Sequence, residues 1–212
     1  MRSKLILLFL ISTSFANCAV KQIRIAPNFE SSLDRFKRLT VAIDSSSKVN
    51  QVEATLLKSM AEQELAHHKE FIVYPDPSSK NQNCKSPVGK SQGVLTLKLE
   101  EALKGTTPSF LVWLSPAVFG PSADGIKISI QAQIQKCDTK DVLWEGTASS
   151  SYFMGGDEEA TLRTSYENKF GKSVGPKVLP YYDILKSLLD KIASPVLNEA
   201  EQDEKIEVES GS

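Results

Sequence analysis

The sequence is poor in the residues that do most enzyme and metal chemistry. Among 212 residues there are only two histidines, adjacent at His67 and His68, and three cysteines, Cys18, Cys84 and Cys137. That is too few for a zinc cage, and it starves any histidine-based acid–base machinery. Charge of one sign is missing too. The formal net charge is −1, from 25 basic and 26 acidic residues, with no basic stripe of the kind that neutralises phosphates, so no nucleic-acid partner is expected. No apolar run approaches the roughly 20 residues a membrane-spanning helix needs. No cofactor fingerprint stands out, and the expected cofactor list is empty.

The start of the chain is informative. Arg2 and Lys4 precede the apolar run Leu5–Ile11, and Ser12 to Asn17 are small or polar, the three parts of an export signal over residues 1–17. Phe15-Ala16-Asn17-Cys18 resembles a relaxed bacterial lipobox, in which the cysteine is diacylated and becomes the mature N-terminus. Plain cleavage after Ala16 is the competing reading. Cysteine parity favours the lipid: a thioether at Cys18 leaves Cys84 and Cys137 as an even pair in an oxidising compartment, either bridged or as two free thiols. Loss of the leader's two basic residues takes the formal charge from −1 to −3. Membrane contact is therefore expected through acyl chains rather than through attraction to anionic lipid.

Residues 18–37 read as an N-terminal tether carrying Ile23, Ile25 and Phe29. A single domain is expected over 38–197. Arg38 to Asp44 alternates Leu39, Val41 and Ile43 on one face, a strand. Asn50 and Glu53 have capping-box spacing before a helix striped with Val52, Leu56, Leu57, Met60, Ala61 and Leu65. Phe71–Tyr74 predicts a further strand, parallel to the first by a β-α-β crossover. Leu95, Leu97 and Leu99 mark the next strand. Ile126, Ile128, Ile130, Ala132 and Ile134 alternate with Lys127, Ser129 and Gln131–Gln133–Gln135, and Val142 to about Ser151 returns. That is a long antiparallel hairpin with one dry face. Tyr181, Ile184, Leu185, Leu188, Leu189 and Ile192 predict a second amphipathic helix. The expected fold class is α+β (or α/β), a mixed sheet with a long antiparallel hairpin packed against two or three helices. Residues 198–212, rich in Glu and Asp, read as a disordered acidic tail.

Few motifs carry chemistry. Gly89-Lys90-Ser91-Gln92-Gly93 fits the spacing of a hydrolase nucleophile elbow. However, a strand rather than a helix follows it, and both histidines lie upstream, so no catalytic residues are expected and the chain is read as not an enzyme. His67 and His68 point about 100° apart on a helix and suit its C-terminus better than a metal. The run Phe110–Phe119, interrupted by proline, offers Trp113, Val118 and Phe119 as a partner surface. An unrecognised hydrolase site and a carrier of a small lipophilic ligand remain the alternatives.

The lipobox-like segment, the lead-in Ile23-Arg24-Ile25-Ala26-Pro27-Asn28-Phe29-Glu30, the strand Arg38–Ile43 and the hairpin with Val142-Leu143-Trp144-Glu145-Gly146 together resemble a family of uncharacterised bacterial lipoproteins known from spirochaetes and myxobacteria. The resemblance implies a periplasmic α/β lipoprotein, lipid-anchored in the cell envelope at the outer membrane. The expected partners are the membrane, reached through its acyl chains, and an envelope protein.

Overall fold

A computed structural model describes residues 19–47, 51–75, 84, 91–106, 124–153, 157–178 and 181–211. Six strands form one open mixed sheet: β1 (Ala19–Ile25), β2 (Arg38–Ile43), β3 (Ile72–Val73), β4 (Gly93–Thr106), β5 (Asp124–Lys136) and β6 (Val142–Phe153). Their order is β1-β6-β5-β4-β2-β3, with β2 parallel to both β3 and β4 and the other pairs antiparallel. The helices are α1 (Phe29–Ser32), α2 (Gln51–Gln63), α3 (Asp157–Phe170), α4 (Gly175–Val178), α5 (Tyr182–Leu189) and α6 (Glu199–Ser210). The domain is thus α+β, as the alternation of strand and helix patterns led us to expect.

The register puts the apolar residues of every central strand on one face. Val41 pairs with Leu95 and Leu95 with Ile134, while Leu99 pairs with Ile130 and Ile134 with Trp144. All of these are buried, and α2 and α5 pack over them through Leu57, Ala61, Ile184 and Leu188. Period-2 alternation leaves Gln131, Gln133, Glu145 and Thr147 on the opposite face, where they are half-buried. Gly93 is glycine for a packing reason: a Cβ there would lie 2.4 Å from Phe36 Cζ and 2.8 Å from the Gln135 carbonyl oxygen.

Two segments differ from the sequence expectation. Within 18–37, Ala19–Ile25 is no tether but the edge strand β1, antiparallel to β6 from Ala19↔Ser149 to Ile25↔Trp144. Its alternation is short and carries few apolar residues, because an edge strand buries only part of one face. The acidic C-terminal segment is likewise not a loose tail. Residues 199–210 form α6, started by a full capping box in which Asn198 Oδ1 accepts from Glu201 N at 3.0 Å and Asn198 N donates to Glu201 Oε2 at 2.9 Å. The register places Ile72 beside Arg38, on the face away from the main core, and α6 packs there with Val208 against Ile72 and Tyr74.

Candidate functional site

An open groove of about 1220 Å³ lies at the end of the sheet where β5 turns into β6, lined by Asn28, Arg35, Phe36, Gln92, Lys136 and Lys140 among others. Its floor is the Cys84–Cys137 disulfide, with Cα atoms 5.8 Å apart and a sequence separation of 53. The bridge ties Cys84, which lies ahead of β4, to the residue that follows β5. Cys137 N donates to the Gln92 carbonyl at 2.9 Å, and Ser91 N donates to the Cys84 carbonyl at 3.1 Å.

Gln92 organises one wall. Its Oε1 accepts from the backbone N–H groups of Lys37 (2.7 Å) and Arg38 (3.0 Å), and its Nε2 donates to the Arg35 carbonyl. One amide thereby joins the α1–β2 connection to β4, satisfying backbone groups that no strand partner reaches. On the other wall the β5–β6 turn is set by Asp138, whose carboxylate accepts from Thr139 N at 2.7 Å. That backbone hydrogen bond holds the Asp138 carboxyl below its usual range. Lys140 sits at φ 64°, the left-handed conformation that closes such a turn.

Ser91, the central residue of the elbow-like Gly89–Gly93 spacing, lines this groove but is only 2 % exposed. Its Oγ accepts from Thr40 Oγ1 at 2.7 Å and donates to the Cys84 carbonyl at 3.3 Å. A nucleophile needs a base at that oxygen, and here the hydroxyl is committed to structural bonds. Neither histidine lines the groove among its described residues.

His67 and His68 instead close a π-helical turn, Glu64–His68, that continues α2. The Glu64 carboxylate is buried there, receiving Lys186 Nζ of α5 at 3.1 Å, with His68 Nε2 at 3.9 Å. Lys186 also reaches Asp190, and the two acids together raise its pKa against the opposing effect of burial. Such turns recur at functional positions, but this one serves to join α2 to α5. Among the described residues no three His, Cys, Asp or Glu side chains gather as a metal site. Cys18, Trp113, Val118 and Phe119 lie outside the described residues.

The sequence reading did not single out Arg35, Gln92 or Lys140. Gln92 entered it only as an unspecified position of the elbow-like Gly89–Gly93 spacing, and its amide acts on backbone groups 54 and 55 positions away.

No protein-family model and no curated protein sequence matches the chain. Solved structures similar to it include several bacterial lipoproteins. A PelC dodecamer from Paraburkholderia phytofirmans is similar at 14 % identity and TM-score 0.41, covering 80 % of this chain and 95 % of that one. Lipoprotein GNA1162 from Neisseria meningitidis is similar at 16 % identity and TM-score 0.36, covering 62 % and 96 %. A minor lipoprotein from Acinetobacter baumannii is similar at 9 % identity and TM-score 0.32, covering 68 % and 90 %.

Proposed function

We propose that the chain is a lipid-anchored protein of the bacterial envelope, acylated at Cys18, that works as a non-enzymatic binding or accessory module of a membrane-associated complex. The observation that carries this reading is the place of the anchor. Cys18 immediately precedes Ala19, the first residue of β1, so the lipidated residue would feed straight into the edge of the sheet with no spacer. The resemblance to lipoproteins of spirochaetes and myxobacteria supports an outer-membrane address.

The groove supports recognition over catalysis, because Ser91 and Gln92 are engaged in holding the wall together. Arg35, Lys136 and Lys140 line it beside Asp34 and Asp138, so charges of both signs face the groove. Those charges favour a partner that brings charged or polar groups of its own. Intact-mass measurement of the native protein should show diacylglycerol at Cys18, and Cys18→Ser should abolish partition into detergent. An unacylated chain starting at Asn17 overturns the anchor. Crosslinking of the native protein should recover an envelope protein, and that product should weaken for Arg35→Ala with Lys140→Ala if the groove is the recognition surface. For Trp113→Ser with Phe119→Ser, loss of partners at unchanged melting temperature would place recognition in the 108–121 run instead.

A further inference from the structure

The Cys84–Cys137 bridge sits where a reagent can reach it. Both cysteines are half-buried and both line the open groove, and neither belongs to the buried core. A bridge shut inside a core is protected from thiols, whereas an accessible one is the labile kind. Breaking it would also leave the strands paired. Cys84 precedes β4 and Cys137 follows β5, outside the ladder that runs from Gly93↔Lys136 to Thr106↔Asp124.

The two sulfurs are held differently. Cys137 N donates to the Gln92 carbonyl at 2.9 Å, which keeps residue 137 on the sheet whether or not the bridge is closed. Among the described residues Cys84 is held, apart from the bridge, by Ser91 alone. Its carbonyl accepts from Ser91 N at 3.1 Å and from Ser91 Oγ at 3.3 Å.

The groove also favours one thiolate over the other. Buried Ser91 Oγ lies 4.0 Å from Cys137 Sγ and accepts from Thr40 Oγ1 at 2.7 Å, which polarises its own proton for donation. Its acceptor while the bridge is closed is a carbonyl at 3.3 Å, and a thiolate on Cys137 is the stronger acceptor. The charged groups that line the groove are Asp34 and Arg35 on the α1–β2 connection, with Lys136, Asp138 and Lys140 at the β5–β6 turn. Three cations against two carboxylates lower the cost of a negative sulfur.

We propose that Cys84–Cys137 is a site of thiol–disulfide exchange, at which a dithiol reductant attacks Cys84 Sγ and Cys137 departs as the thiolate. The S–S bond of the protein breaks as the bond from the reductant's sulfur to Cys84 forms. The second thiol of the reductant then loses its proton and attacks the reductant's sulfur in that mixed disulfide, releasing Cys84. Two electrons pass to the protein, the two protons go to the released sulfurs or to solvent, and the dithiol leaves as a disulfide. Reduction frees Cys84 from Cys137, so the covalent floor of the groove depends on redox state. This chemistry needs neither the anchor at Cys18 nor a partner in the groove, and its test reads neither.

The test uses the full chain with dithiothreitol as the reductant, under conditions where the protein is folded. The reduction rate should stay constant as sub-denaturing urea is added. A rate that climbs with urea as steeply as global unfolding would mean that thiols reach the bridge only in the unfolded chain, and overturns the proposal. Amides 129–134 should remain protected from hydrogen exchange after reduction, and loss of that protection also overturns it. In the reduced chain, alkylation by iodoacetamide followed across pH should give Cys137 a midpoint about one pH unit below that of Cys84, the size of one charge-assisted hydrogen bond. Ser91→Ala should raise the Cys137 midpoint by about that amount and leave Cys84 unmoved. Coincident profiles for the two cysteines in the unsubstituted chain overturn the choice of Cys137 as the leaving sulfur, whatever the variant does.

Discussion

The Arg38 guanidinium grips the Glu204 carboxylate with two parallel hydrogen bonds, Nε–H to Oε1 at 2.8 Å and Nη2–H to Oε2 at 2.5 Å, across 166 positions of sequence. Tyr74 donates its hydroxyl to the same Oε1 at 2.5 Å, and the nearly buried Lys37 Nζ meets Glu201 at 2.7 Å one turn earlier. Only Val208 of α6 is a buried apolar side chain, so these charge-assisted bonds are the main tie between α6 and the sheet. Arg38→Ala is expected to cost about 1.5–3 kcal/mol, the range for hydrogen bonds to charged groups. Local hydrogen exchange should assign that loss to α6 rather than to the sheet.

The same ties make α6 acid-sensitive. The hydrogen bond from Arg38 lowers the pKa of Glu204, and the one from Lys37 lowers that of Glu201. A carboxylate depressed in the folded state stabilises the fold above its unfolded value of about 4.3, and the contribution is lost as pH falls through the lowered folded value. Limited proteolysis should begin to release α6 below about pH 4, before the sheet unfolds. Glu204→Gln should remove most of this dependence, and an unchanged acid profile in that variant would refute the assignment.

Asn198→Ala removes one half of the capping box and is expected to cost about 1 kcal/mol of local stability. The readout is a loss of far-ultraviolet helical signal confined to the C-terminal segment.

Truncation of Ile130 or Ile134 to alanine, both fully buried against α2 and α5, should cost about 2–5 kcal/mol by denaturant melts. Gln133→Ala on the opposite face should cost far less.

Replacing both Cys84 and Cys137 by serine opens a loop of 53 residues and is expected to lower stability by about 4 kcal/mol, or less if the unfolded chain retains structure. Thermal melts with and without reductant on the natural chain should show the same difference.

Where burial is one-sided, the sequence is easy to read. The isoleucines of β5, the leucines of β4 and the stripe of α5 announce their elements because solvent faces their alternate positions. Within the α2 stripe Val52 is 62 % exposed, since the first turn overhangs the sheet. By contrast α6 binds through carboxylates, and composition alone makes that pattern look like a solvated segment. The groove was still less legible: the Cys84–Cys137 bridge was one of two open readings, and Gln92 acts only through tertiary proximity.

The π-helical turn at Glu64–His68 has a consequence for how the gene can change length. A π turn holds one residue more than an α turn of the same hydrogen-bonded cycle, so deleting a single residue between 64 and 68 would return the segment to α geometry. Each residue of an α-helix turns the chain by about 100°. The deletion would therefore rotate the whole of α2 relative to Phe71 and β3, swinging Leu57 and Ala61 off the sheet or carrying Glu64 away from Lys186. Surface loops absorb insertions and deletions readily, whereas this five-residue stretch acts as a phase adjuster whose length cannot drift.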